Sequence, residues 1–134
     1  NEAVCWGDTG VEAAGIVRAV NAPNFSLLWD PGNSARAGSV SPYPDEYAQL
    51  KELVSHVHLK NFHAGRGQWS LMHDGVVDWP GQFAALVADG YEGFVVIETH
   101  LKKRPDDLAP TDGLDDLENN SLHNLNYLRT HLDR

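Results

Sequence analysis

The chain has 134 residues, 42% hydrophobic and 22% charged, with a formal net charge of −9 and a single cysteine. That length supports one domain with a real core, and the acidity argues against a nucleic-acid partner, whose phosphates need a basic surface. Cys5 alone excludes an internal disulfide framework and fits a reducing, cytoplasmic setting. No apolar run approaches the ~20 residues of a membrane span, so no membrane partner is expected. Asn1 to Cys5 carries neither an initiator Met nor a signal-peptide core, and reads as a chain entered part-way through.

Thr9-Gly-Val-Glu12 has the form of a capping box. Ala13, Ile16, Val17 and Val20 then recur at helical spacing until Asn21-Ala-Pro-Asn24 stops the helix. Phe25–Trp29 is an unbroken apolar run, the pattern of a strand buried on both faces. Asp30-Pro-Gly-Asn33 reads as a turn, and Ser34–Pro42 as a loop. A helix is expected from Pro44, with Tyr47, Leu50 and Val54 on one face. Val54–Asn61, V-S-H-V-H-L-K-N, alternates apolar and polar residues, so His56, His58 and Lys60 share one face of a strand.

Phe62–Val77 is the longest irregular stretch and has the character of a binding loop or lid. The next helix spans Asp78–Asp89, with Trp79, Phe83, Leu86 and Val87 inward and Gly90 closing it. Phe94–Glu98 is a third strand and Lys102–Asn120 a polar loop. Leu122, Leu125, Leu128 and Leu132 mark a last helix by their apolar stripe. Strict alternation of helix and strand implies right-handed crossovers and a parallel sheet with covering helices. Three strands, with a stub at the N-terminus, amount to half of an eight-stranded barrel.

The chemistry gathers at strand ends. Asp30, His58 and Glu98 each stand at the C-terminal end of an apolar strand, and parallel strands bring such ends side by side. Alone, Asp30 reads as a turn cap, His58 as a core histidine and Glu98 as a partner of Lys102 or Lys103. Together, two carboxylates and an imidazole make a donor set for a divalent ion, and Mn²⁺, Mg²⁺, Co²⁺ and Zn²⁺ all fit. Lys60 is either a substrate-side group or a solvated charge at a strand end. His56 is a candidate substrate group, and Arg66, Trp69 and His73 are candidates from the long loop.

Five segments in order carry a family resemblance: Asn1-Glu2, W-D-P-G-N at 29–33, H-V-H-L-K at 56–60, G-V-V-D-W at 75–79 and G-Y-E-G-F-V-V-I-E at 90–98. With them the chain resembles the xylose isomerase-like TIM-barrel superfamily, and within it the sugar phosphate isomerase/epimerase group of tagatose epimerases and hydroxypyruvate isomerases. The resemblance covers nearly the whole chain and implies an α/β fold, the C-terminal half of a (β/α)8 TIM barrel. Residues 1–134 would be one partial domain equivalent to about strands five to eight. It implies Asp30, His58 and Glu98 as metal ligands and Glu98 also as a catalytic acid–base group; beside them, His56 and Lys60 on the strand and Arg66 in the long loop are the candidate substrate-binding residues. A fourth ligand, a Glu, would lie just before Asn1. The implied reaction is isomerisation or epimerisation of a sugar or sugar phosphate, by proton transfer through a metal-stabilised enediolate. A half-barrel would further need its N-terminal half or self-association to cover its edges.

Two other readings stand beside this one. An inactive half-barrel, fragment or scaffold, would share the fold without the activity. An endonuclease IV-like DNA-repair enzyme would share the barrel, but its multi-metal site calls for a His after Asp30, where this chain has Pro31-Gly32-Asn33, and the net charge opposes DNA.

Overall fold

The computed structural model describes residues 1, 2 and 4–132. The capping box forms as the sequence predicts. The Glu12 amide donates to Thr9 Oγ1 at 3.3 Å and the Thr9 amide to Glu12 Oε2 at 3.0 Å, starting helix α1 at Gly10–Val20. Strand β1, Leu27–Trp29, leads into a short helix α2, Pro31–Arg36. Strand β2 is Val54–Leu59, and a hairpin of β3 (Asn61–His63) and β4 (Gln68–Ser70) follows it. Helix α3, Trp79–Ala88, strand β5, Phe94–Ile97, and helix α4, Asp116–Leu132, complete the order.

The strands β1, β2 and β5 form one parallel sheet in the order β1-β2-β5, as the alternation of elements predicts. Period-two alternation gives the sheet two faces. Leu27, Trp29, Val57 and Leu59 are buried in one core with Ala14, Val17, Phe83 and Leu86 from the helices. The other face carries Leu28, His56 and Phe94 in register, then His58 beside Val96. It is open: Phe94 is 79% exposed and Val96 41%. Among the described residues no helix is long and apolar enough to cross a membrane.

The Trp29 indole explains the glycine that begins α1. A Cβ on Gly10 would run into the Trp29 ring and lie 2.7 Å from Leu50 Cδ2, and both neighbours are fully buried. Gly10→Ala should therefore destabilise the protein by about 1–3 kcal/mol, the usual cost of overpacking, as read by urea denaturation. A midpoint unchanged from wild type would show that α1 can slide away from the sheet.

Several sequence expectations are corrected. No regular helix starts at Pro44; short helical turns at Pro42–Glu46, Tyr47–Gln49 and Lys51–Leu53 take its place, and Val54 already belongs to β2. The Asp30–Asn33 turn is the start of α2, which also takes in the first residues of the expected Ser34–Pro42 loop. β1 is shorter than predicted and is not buried on both faces, since Leu28 is half-buried and Phe25 exposed. Val87 does not face inward but is 73% exposed. In α4 only Leu128 of the expected leucine stripe is buried, alongside Asn119, Asn120 and Asn124. The buried face of that helix is polar because its asparagines bond to backbone groups of neighbouring segments. The Asn120 amide donates to the Leu101 carbonyl at 2.8 Å, Asn119 to Ala109 at 3.2 Å, and Asn124 Oδ1 accepts from the Met72 amide at 3.1 Å. These asparagines fasten the long segment that follows β5.

Candidate functional site

Each strand of the parallel sheet delivers one side chain to the same end. Asp30 leaves β1 and caps α2, its Oδ1 accepting from the Asn33 amide at 2.9 Å. Its other oxygen, Oδ2, stays free of that cap, so the turn-cap reading holds while the same fully buried carboxylate keeps an oxygen turned to His58 and Lys60. Asn1 clasps the same residue from the other side: its Oδ1 accepts from the Asp30 amide at 3.0 Å and its Nδ2 donates to the Asp30 carbonyl at 3.1 Å. His58 is brought in by β2. Glu98 follows β5, and its amide donates to the Leu59 carbonyl at 3.1 Å, extending the β2–β5 pairing to the site.

Donor atoms of Asp30, His58 and Glu98 all lie within 4.8 Å of one another, the one such trio of His, Cys, Asp or Glu among the described residues. His58 Nδ1 sits 3.0 Å from Glu98 Oε2 and 3.5 Å from Asp30 Oδ2. The imidazole pKa is drawn up, first by the contact with Asp30; burial opposes this and the charge of Glu98 adds to it. For Glu98 burial pulls its pKa upward, but the hydrogen bond and charge of Lys60, with His100 and His58, outweigh it and hold the carboxyl below its ordinary value. Glu98 is thus an ionised carboxylate at neutral pH.

Lys60 is not a solvated strand-end charge: its side chain is 2% exposed. Its ammonium lies 2.6 Å from Glu98 Oε2 and 3.0 Å from Asp30 Oδ2. The approach to Asp30 is poorly aligned, and Oδ2 is left as a buried acceptor with no hydrogen bond. Above the ammonium is Trp69 of the β3–β4 hairpin, its ring centre 4.9 Å from Nζ, a cation–π contact. Trp69 in turn stacks on His100 at 4.9 Å. The segment predicted as one irregular loop therefore includes a hairpin that lies over the strand ends.

The remaining sequence candidates separate. His56 packs edge-on to His58, ring centres 5.4 Å apart, on the same strand but outside the trio. Arg66, in the hairpin, pairs with Asp74 just after it, and both line a cavity of about 370 Å³ with Trp69 and Lys103. His73 turns toward α4, its Nδ1 3.2 Å from His123 Nε2. Glu2 meets α2, accepting from Asn33 Nδ2 at 3.1 Å. Sequence reasoning missed His100, whose Nε2 lies 3.1 Å from Glu98 Oε1. The two-residue spacing from Glu98, the same period that linked His58 and Lys60, was the signal for it.

A buried carboxylate oxygen without a hydrogen bond, a second carboxylate and an imidazole nitrogen, all converging, fit a divalent cation of the oxygen- and nitrogen-preferring kind. Residues 1–131 match the family model described as xylose isomerase-like TIM barrel. The chain belongs to that family. Family membership agrees with the parallel sheet. The family comprises sugar isomerases, epimerases and related enzymes, often metal-dependent and acting on small molecules. No curated protein matches the chain.

Proposed function

We propose that the protein is a divalent-metal-dependent isomerase or epimerase of a sugar or sugar phosphate. The observation that supports this best is the convergence of Asp30, His58 and Glu98 at one end of three adjacent parallel strands, in a chain of this family. Asp30, His58 and Glu98 would hold the ion. When bound, it supplies Lewis-acid polarisation of a hydroxy-carbonyl unit. Glu98, kept ionised by Lys60 and the neighbouring histidines, takes the proton from the carbon beside the carbonyl. A second acid–base group returns it at the neighbouring carbon or on the opposite face. Trp69 covers Lys60 at the edge of the site, while His56 would reach substrate from the strand and Arg66, once released from Asp74, from the hairpin.

The reading also proposes that residues 1–134 are the C-terminal half of a (β/α)8 barrel. The open face bearing Phe94 and Val96, and the β1 and β5 edges that no further strand covers among the described residues, would then meet the N-terminal half or a second copy. The isolated chain should accordingly run as an oligomer or aggregate in light scattering at micromolar concentration. A clean monomer would mean that the open face tolerates water unaided.

The functional reading is tested by incubating the purified protein, with Mn²⁺, in heavy water with a panel of ketoses and ketose phosphates. Proton transfer through the solvent-exchanging Glu98 carboxyl should place deuterium beside the carbonyl of at least one of them, read by NMR. A metal-binding protein that exchanges none would favour the inactive-scaffold reading, which the open sheet face otherwise supports.

A further inference from the structure

We infer that Lys60 is a resident cation of the Asp30–His58–Glu98 trio, holding its two carboxylates together in the metal-free protein and standing aside when a divalent ion enters. The inference rests on the metal-centre reading above and assigns Lys60 a part in regulating occupancy of that site.

Two carboxylates gathered beside one another repel unless a positive charge lies between them, the more so when one is fully buried. Lys60 provides that charge, because Nζ touches Glu98 Oε2 at 2.6 Å and Asp30 Oδ2 at 3.0 Å. These are the oxygens that also face His58 Nδ1. Oxygen–metal bonds are about 2.0–2.2 Å long, so an ion on those oxygens would sit within ~5 Å of the ammonium. Two cations that close in a buried site oppose each other strongly.

The lysine is also built to be held and then to yield. Its stem passes against α2, where a Cβ on Gly32 would lie 2.7 Å from Lys60 Cγ, so glycine leaves the room it needs. The ammonium already lies over the Trp69 ring, 4.9 Å from its centre, so that favourable contact remains to it once the carboxylates are taken. A lysine serving substrate alone would have no reason to contact both carboxylates.

The test is calorimetric titration of Mn²⁺ into wild type, Lys60→Met and Lys60→Gln, with the melting temperature of each metal-free protein. Removing the competing charge should tighten Mn²⁺ binding about tenfold or more in Lys60→Met and in the same direction in Lys60→Gln, while both melt at lower temperature without metal. Should Lys60→Met be unfolded without metal, Mn²⁺ should restore its far-ultraviolet circular dichroism. Affinity unchanged or weakened in Lys60→Gln, with wild type binding normally, overturns the inference and leaves the metal centre standing. Binding by neither wild type nor variants overturns the metal centre and the inference with it. A merely structural lysine would lower the melting temperature but would not tighten the metal.

Discussion

Glu98→Gln should slow proton exchange at the substrate carbon by about 10²–10⁴-fold while keeping more Mn²⁺ affinity than loss of His58 does. The amide has the shape of the carboxylate and retains an oxygen for the ion, but it cannot accept a proton at neutral pH. Wild-type Glu98 is prepared for that task, since Lys60 at 2.6 Å, with His100 and His58, outweighs its burial and keeps it ionised. Deuterium incorporation from heavy water, compared between variant and wild type on the responding sugar, measures the effect. Exchange at the wild-type rate would move the acid–base role to another group.

Trp79→Ala should cost about 3–5 kcal/mol of stability, the range for removing a large aromatic from a core. Trp79 is fully buried at the start of α3, stacked on Phe83 with ring centres 5.3 Å apart. Its indole also donates to the Lys60 carbonyl at 3.3 Å, so the truncation leaves a cavity behind the strand end that carries the site. Chemical denaturation measures the loss. A change under 1 kcal/mol would mean that α3 does not brace β2, against the packing seen here.

The trio was legible because it lies where strand chemistry is simplest. Apolar runs ending in Asp30 and Glu98, and the alternation through His58, mark strand ends without knowledge of tertiary contacts. Helices α1 and α3 were legible from Thr9, Glu12, Asp78 and Gly90, which act locally on backbone donors and acceptors. What escaped depended on distant partners. Pro31-Gly32-Asn33 has turn composition, and it becomes helical once Asp30 caps it and Asn1 clasps Asp30. The asparagines of α4 look like solvent residues, yet they are buried because the backbone after β5 needs donors and acceptors there. The burial of Lys60 is likewise set by Asp30, Glu98 and Trp69, none of which adjoins it in sequence.

The central claim is that Asp30, His58 and Glu98 hold one divalent ion. Calorimetric titration of Mn²⁺ into wild type and His58→Ala tests it most directly. His58 contributes the trio's one nitrogen donor, and even partners one step removed from a metal are commonly worth 10–100-fold in affinity. The variant should therefore bind one Mn²⁺ at least about 100-fold more weakly than wild type, or not measurably. Equal affinity in wild type and His58→Ala would contradict the assignment.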